Sequence, residues 1–344
     1  MISIRKDSPK ITVLMPVYNG ERYLGEAVES ILEQTFRDFE FLIIDDGSID
    51  GGADIIRSYG DPRIRLEHND KNLGLIATLN KGLELARGEY VARMDCDDIS
   101  LRERLTVQAR VMDENKSWGA CGAWIRIFDG AGDGRVQPYS TDPDTLTCEL
   151  LFNPPMAHPS VIFRRERFRA LGLHYDESYK NAEDYELWCR ASRHMTLSNI
   201  PKILLLYRSH PQQVGMKHFR EQQLVAGRIR THQLESLGIR PTEEQFRVHQ
   251  ILCNPDKEEI PKDFVDRAED WLLLLKKANR VKPVFPEPAF SKVLGVRWLG
   301  VCYFAPGSRA RRILRFFASP FGRDGIADWK RLIRRIVPGS ALPW

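Results

Sequence analysis

The sequence has few of the features that mark secreted, membrane-spanning or zinc-ribbon proteins. Its six cysteines are scattered and form no C-x-x-C pair, so neither a disulfide framework nor a zinc ribbon is predicted. Residues 1–10 lack the apolar segment of a signal peptide, and no run approaches the roughly 20 apolar residues that cross a bilayer. We therefore expect a cytoplasmic protein.

An excess of charge of one sign is also missing. The formal net charge is +4 over 344 residues, which is too small to predict a nucleic-acid partner. A hydrophobic share of 42% can fill a substantial core, and the length favours two domains.

Glycine-rich phosphate-binding loops are absent as well. No G-x-G-x-x-G follows the first predicted strand, and no G-x-x-x-x-G-K-[ST] occurs in the chain. A diphosphate bound to this protein would need another source of positive charge, such as a metal ion.

Apolar runs alternate with segments of helical spacing over the first hundred residues. Strands are predicted over 11–17, 39–44, 64–67 and 89–92, and helices over 21–34, 54–59 and 75–86. This alternation is typical of an α/β fold with a mainly parallel sheet flanked by helices. In such sheets, ligands bind outside the carboxyl ends of the strands.

Polar motifs follow three of these strands. They are Pro16-Val17-Tyr18-Asn19, Asp45-Asp46-Gly47-Ser48 and Asp95-Cys96-Asp97-Asp98. Because the strand ends share one edge, we expect the three motifs to form one site. Crowded carboxylates repel one another, so the third motif is either solvated or binds a divalent metal. Each motif alone also fits a purely structural role in packing or in a turn.

Taken in order, these motifs resemble glycosyltransferase family 2, which has the GT-A nucleotide-sugar fold. The resemblance also includes Gln34-Thr35-Phe36, Asp50, Asn72-x-Gly74 and Arg87-Gly88-Glu89-Tyr90. It implies an inverting enzyme that moves a sugar from a nucleotide-diphosphate donor, with UDP expected, to a hydroxyl group of a glycan or lipid-linked acceptor. Bacterial surface polysaccharide synthesis is the expected setting.

The resemblance also implies which residues bind the nucleotide. Pro16 and Tyr18 would line the uracil and ribose pocket, with Val17 and Asn19 beside them. Asp46 would accept the N–H of the base, and Asp45 would support it. Asn72 and Gly74 join this set, although Asn-x-Gly is also a common turn.

The metal ligands implied by the resemblance are Asp97, Asp95 and His210. Asp97 would be the principal ligand of Mn²⁺ or Mg²⁺, because both ions accept carboxylate and diphosphate oxygens. Asp95 would face the ribose or the metal-bound diphosphate, with Cys96 beside it on the donor side. A late histidine completes the metal shell in several GT-A enzymes, which is the basis for His210.

Inverting transfer also needs a base that takes the proton of the attacking hydroxyl. The resemblance gives this role to Asp184, and Glu183 is the alternative base or a residue that orients the acceptor. Capping of a helix start is the structural alternative for both. His158 would contact the acceptor or the donor sugar, while Trp188 would either stack on a sugar or belong to the core.

The predicted organisation is a tail over 1–10, a catalytic domain over 11–215 and a helical region over 216–344. About forty C-terminal residues mix basic with aromatic and aliphatic side chains, a pattern typical of an amphipathic helix on anionic lipid. A packed helix with a solvated basic face would give the same pattern. Peripheral binding to the inner face of the cytoplasmic membrane would suit a lipid-linked acceptor.

Three other functions fit part of the sequence. A nucleotidyltransferase would bind nucleotide and metal, but it would usually have a glycine-rich basic loop after the first strand. A non-catalytic nucleotide-sugar sensor would bind the donor without turnover. A membrane scaffold would need only the basic C-terminal region.

Overall fold

Four parallel strands form one half of the sheet in the computed structural model, which describes residues 8–129, 134–211, 213, 218–255 and 260–322. They are β1 (Ile11–Val17), β2 (Phe39–Asp45), β3 (Ile64–His68) and β4 (Tyr90–Arg93), in the order β3-β2-β1-β4. Each of these neighbours pairs in parallel. The helices between them are α1 (Glu21–Leu32), α2 (Gly52–Ser58) and α3 (Leu75–Leu85). The predicted α/β alternation is confirmed.

The other half of the sheet mixes strand directions. Beyond β4 lie β8 (Ile162–Arg164), β6 (Trp118–Phe128), β9 (Thr196–Arg208) and β5 (Ile99–Ser100), and β7 (Arg135–Gln137) pairs with β6. Strand β8 is antiparallel to both of its neighbours, whereas β9 is parallel to β6 and antiparallel to β5. Helices α4 (Arg104–Glu114), α6 (Arg165–Ala170) and α7 (Glu183–Ala191) lie between these strands in the chain.

Burial explains why the first segments adopt these structures. All seven residues of β1 are buried, as expected for a central strand covered on both faces. Helix α1 buries Leu24, Ala27, Val28 and Ile31, which share one helical face. These side chains belong to one core cluster with β1 and β2, so the ends of the strands are held on a rigid base.

The chain divides into two compact units. The first contains residues 1–141 and 156–222, and the second contains 142–155 and 223–344. The predicted boundary near residue 215 places 142–155 in the catalytic domain, whereas this segment packs with the second unit. The described helices that lie wholly or mostly in the second unit are α5 (Pro143–Glu149), α8 (Phe219–Ser236), α9 (Glu243–Cys253), α10 (Phe264–Val281), α11 (Ala289–Phe304) and α12 (Arg309–Ala318). Helix α8 begins in the first unit.

The second unit has an apolar core of its own, which includes Trp271 and Trp298. His249 is fully buried there; its Nε2 lies 3.1 Å from the carbonyl oxygen of Leu151, and its Nδ1 accepts from Trp271 Nε1 at 3.1 Å. Burial lowers the pKa of His249 to about 3, so this histidine is a neutral core residue. Within the described ranges, no helix is both long and apolar enough to cross a membrane. The predicted basic and aromatic residues after 322 lie outside the described residues.

Candidate functional site

The loop after β1 is hydrogen-bonded to the loop after β2. The backbone N–H of Asn19 donates to Ser48 Oγ at 2.9 Å, and Asn19 Oδ1 accepts from the N–H of Ile49 at 3.0 Å. Tyr18, the preceding residue, is 49% exposed. The first two predicted motifs therefore meet at one edge of the sheet, with an aromatic ring available to a ligand.

Four of the predicted nucleotide-binding residues at this edge are buried: Pro16, Val17, Asp45 and Asp46. Pro16 and Val17 complete β1. Asp45 Oδ1 accepts from the N–H of Ser48 at 3.0 Å, and its Oδ2 lies 3.2 Å from His68 Nδ1. Asp45 therefore stabilises the turn after β2.

Asp46 holds the loop that follows β3. Its side chain is buried; Oδ1 accepts from Asn69 Nδ2 at 2.8 Å and from the N–H of Leu73 at 2.9 Å, and Oδ2 accepts from the N–H of Gly74 at 2.8 Å. Both carboxylate oxygens are thus engaged within the protein. The contact between Asp46 and a nucleotide base stays a prediction, and the structure adds a positioning role that the motif did not reveal.

Gly47 lets the same two loops approach closely. Its φ of +71° lies in the left-handed region that favours glycine, and an added Cβ would lie 2.6 Å from the carbonyl carbon of Lys71 and 2.8 Å from the nitrogen of Asn72. Asn72 itself is exposed. A side chain at position 47 would therefore displace the segment that carries Asn72.

Asp95, Asp97 and Asp98 follow β4 and form an acidic cluster. One carboxylate oxygen from each lies within 4.8 Å of the others. Asp95 and Asp97 are partly exposed, while Asp98 is fully buried. Cys96 packs against the loop after β1, since an added Cβ at Gly20 would lie 3.0 Å from Cys96 Sγ. The third predicted motif is therefore adjacent to the first.

The end of β9 reaches the same cluster. Asp98 Oδ1 accepts from the N–H of Arg208 at 2.9 Å, and Arg208 Nε donates to the carbonyl oxygen of Asp97 at 2.8 Å. His210 Nε2 lies 2.8 Å from Asp97 Oδ2. The structure thus brings His210 to the acidic residues with which the resemblance grouped it. Arg208 is engaged by protein groups in this arrangement.

A buried arginine compensates part of the negative charge. Arg93 ends β4, is 3% exposed and forms an ion pair with Asp95. Burial raises the pKa of Asp95, and although the Arg93 charge opposes this, the Asp97 charge adds to the rise. Burial alone would lower the pKa of Arg93, but the Asp95 charge reverses that effect. Sequence reasoning missed Arg93, and the available signal was a charged residue at the end of an apolar strand.

The acidic cluster fits a divalent cation. Asp98 Oδ2 is buried and has no hydrogen-bond partner among the residues that the structure describes. Burial raises the pKa of Asp98 well above its ordinary value, and the charges of Asp95 and Asp97 raise it further. A hard cation would compensate these three carboxylates and accept their oxygens as ligands.

Glu183 and Asp184 begin helix α7. Glu183 is buried, and burial together with the neighbouring Asp184 charge raises its pKa to about 7. Asp184 is half-buried, and its Oδ1 accepts from the N–H of Tyr185 at 2.7 Å. Burial raises the pKa of Asp184; Arg93 lowers it and Asp95 raises it. Asp184 therefore lies within electrostatic range of the acidic cluster, 89 positions away from Asp95 in sequence.

The two predicted acceptor residues are buried beside this pair. His158 Nε2 lies 2.7 Å from the hydroxyl oxygen of Tyr175, and burial, with the Arg93 charge, lowers the pKa of His158 so that it is neutral. Trp188 is 0% exposed and its ring packs edge-on against His158 and Phe168. Of the two alternatives for Trp188, burial favours a core residue over a sugar-stacking surface.

Comparison with known proteins identifies the family. The sequence model described as Glycosyl transferase family 2 matches residues 12–172. The chain is 31% identical over 249 residues to an uncharacterized glycosyltransferase of Haemophilus influenzae, covering 68% of this chain and 77% of that protein. It is 32% identical over 225 residues to an uncharacterized glycosyltransferase of Methanocaldococcus jannaschii, covering 63% and 77%. The chain belongs to glycosyl transferase family 2.

Solved structures agree in fold. S. aureus TarS 1–349, in complex with UDP-GlcNAc, has a TM-score of 0.58 at 18% identity and covers 94% of this chain and 92% of its own. The mannosyltransferase PcManGT from Pyrobaculum calidifontis, in complex with GDP-Man and Mn²⁺, has a TM-score of 0.51 at 15% identity, covering 94% and 87%. The predicted GT-A fold is confirmed.

Proposed function

We propose that this glycosyltransferase is an inverting, metal-dependent enzyme that uses a UDP-sugar as donor. The observation that carries the proposal is the clustering of Asp95, Asp97 and Asp98 within 4.8 Å, next to the loop after β1. The donor class is supported by the structural neighbours, which include complexes with UDP-GlcNAc and with GDP-Man and Mn²⁺.

On the donor side, Tyr18 would pack on the base, and the loop held by Asp46 would close the nucleotide pocket. Asp97, with Asp95 and His210, would hold Mn²⁺ or Mg²⁺. The ion would supply positive charge to the diphosphate as it departs. The buried Arg93 would keep Asp95 ionised and in place.

On the acceptor side, Asp184 would take the proton of the attacking hydroxyl. A bond forms between the acceptor oxygen and the anomeric carbon, and the bond between that carbon and the diphosphate oxygen breaks. The electron pair leaves with the nucleoside diphosphate. The Arg93 charge favours the ionised form of Asp184 that this step requires. Glu183 is the alternative base, because a pKa of about 7 also suits proton transfer near neutral pH.

The proposed acceptor is a hydroxyl group of a glycan or of a lipid-linked sugar, in the synthesis of bacterial surface polysaccharide. The enzyme would then work in the cytoplasm, at the inner face of the membrane. His158 is buried and hydrogen-bonded to the hydroxyl group of Tyr175. We therefore propose that His158 orients Tyr175 near Asp184 and does not act by direct contact with the acceptor.

The first test is calorimetric binding of UDP, GDP, TDP and CDP to the purified chain, with and without Mn²⁺. We expect UDP to bind most tightly and to depend on the metal. Tighter binding of another nucleotide would overturn the choice of UDP. Absence of binding by any nucleotide in either condition would contradict the enzyme proposal.

Asp97→Ala tests the metal site. The variant should weaken UDP binding in Mn²⁺ by at least about tenfold, because the principal oxygen ligand is lost. Asp54→Ala removes a carboxylate whose side chain is 88% exposed on α2 and should bind UDP like the wild type. Unchanged metal dependence in Asp97→Ala would refute the ligand assignment.

Asp184→Asn tests the base. The rate of donor cleavage, measured as UDP formed, should fall by at least about a hundredfold because the amide cannot accept the proton. The affinity for UDP should stay near normal. Glu183→Gln serves as the paired variant. A larger loss in Glu183→Gln than in Asp184→Asn would move the base assignment to Glu183.

A further inference from the structure

Helix α12 presents an apolar stripe to solvent. Ile313, Leu314 and Phe317 are 49%, 71% and 65% exposed, and Ala310 one turn earlier is also exposed. The spacing i, i+3, i+4, i+7 places these four side chains on one helical face. Single exposed apolar residues are ordinary, but a continuous stripe of this kind marks an interaction surface.

The opposite face of α12 is already packed. Arg312 donates from Nε to the carbonyl oxygen of Cys302 at 2.9 Å and from Nη1 to that of Gly307 at 2.7 Å. Arg315 pairs with two carboxylates of α10, and Phe316 is 7% exposed. Two arginines and one aromatic ring therefore anchor the helix, and the stripe faces away from the core of its own unit.

Helix α12 is itself basic, with four arginines and no aspartate or glutamate. Residues 288–323 contain seven basic residues and no aspartate or glutamate. Arg311, between the apolar residues of α12, is exposed. Arg315 is paired with Asp266 and Glu269 of α10, so the positive charge considered beside the stripe is that of Arg311. A narrow apolar stripe beside an exposed arginine is complementary to a lipid surface that offers both an acyl boundary and anionic head groups.

We propose that α12 lies in the interface of an anionic lipid bilayer, with Ile313, Leu314 and Phe317 at the acyl boundary and Arg311 among the head groups. The protein would bind reversibly, because one short helix buries little apolar area. The surface stands on its own observations and does not depend on the proposed glycosyl transfer. A lipid-linked acceptor would, however, be concentrated at the surface to which the helix binds.

The test is flotation of the full chain with vesicles of one part phosphatidylglycerol to two parts phosphatidylcholine, compared with phosphatidylcholine alone. We expect binding to the anionic vesicles that weakens with salt. Leu314→Ser/Phe317→Ser should lower the partition coefficient by at least about tenfold. Arg311→Glu should lower it by at least about fivefold on anionic vesicles only.

The matched control is Leu224→Ser/Val281→Ser, which removes two side chains that are 72% and 81% exposed on α8 and α10. It should bind vesicles like the wild type. Circular dichroism and UDP binding should match the wild type in both double variants. These two controls distinguish a specific loss of vesicle binding from misfolding of the chain or loss of nucleotide binding.

Three results would overturn the proposal. The full chain could fail to bind either vesicle. The Leu314→Ser/Phe317→Ser variant could bind as well as the wild type, which would assign the binding to other residues. Finally, light scattering could show a dimer that this variant loses without any vesicle binding, which would make the stripe a contact between two copies of the chain.

Discussion

Replacing Asp46 with asparagine separates a structural role of this residue from a purely nucleotide-binding one. In the protein, its two carboxylate oxygens accept from Asn69, Leu73 and Gly74 at 2.8–2.9 Å. An asparagine oxygen at the Oδ1 position could keep the first two hydrogen bonds. Its amide nitrogen would then face the N–H of Gly74, so that two donors meet at a buried position.

The cost follows from these contacts. A hydrogen bond to a charged group contributes about 1.5–3 kcal/mol, and a buried N–H without a partner costs about 1–3 kcal/mol. The remaining two bonds also lose charge assistance. We therefore expect Asp46→Asn to lower the free energy of unfolding by about 3 kcal/mol, or the Tm by about 6–12 °C for a unit of this size.

Urea unfolding and thermal melting, without nucleotide or metal, measure this effect. The control is Asp70→Asn, an exposed carboxylate in the same loop, which should change the free energy of unfolding by less than about 0.5 kcal/mol. Equal stability of the two variants, with UDP binding lost only in Asp46→Asn, would refute the structural role and leave Asp46 as a nucleotide contact alone.

Two further changes test the same site. Gly47→Ala should destabilise the protein more than Gly60→Ala in urea unfolding. Both glycines have positive φ, but only at position 47 would the added Cβ meet backbone, 2.6 Å from the carbonyl carbon of Lys71. Equal losses of unfolding free energy in the two variants would mean that backbone strain alone matters. For Glu183, burial and the Asp184 charge raise the folded-state pKa to about 7 from an ordinary 4.5. The stability linked to this proton is fully present below about pH 4.5 and is lost as pH rises through about 7. Glu183→Gln should therefore raise the Tm at about pH 8 and change it far less at about pH 5; a constant difference across this range would contradict the raised pKa.

Local patterns in the sequence were sufficient for the parallel half of the sheet. Apolar runs and helical spacing predicted β1 to β4 with their helices. Strands β1, β2 and β4 are buried along nearly all of their length and read as apolar segments, whereas the edge strand β3 is only partly buried. The rule that parallel strands end at one edge then predicted that the motifs at Tyr18, Asp46 and Asp97 would meet. The hydrogen bonds of Asn19 and the packing of Cys96 against Gly20 agree with that prediction.

Other features depend on contacts between residues far apart in the chain. Pattern alone did not predict that Asp46 would hold Gly74, or that Arg93 would pair with Asp95 inside the protein. Pattern alone also did not predict the mixed half of the sheet or the inclusion of 142–155 in the second unit. Strand pairing and unit boundaries are set by which segments pack together, and a single sequence does not specify that packing.

By itself, the sequence determined the α/β alternation, the acidic motif after β4 and the basic, apolar character of the C-terminal region, since each is a property of neighbouring residues. The tertiary structure decided which polar atoms have partners, that Trp188 is in the core and that Leu314 and Phe317 face solvent. The physical reason is that burial and hydrogen bonding depend on the orientation of side chains toward distant parts of the chain, whereas periodicity reports only their spacing along it.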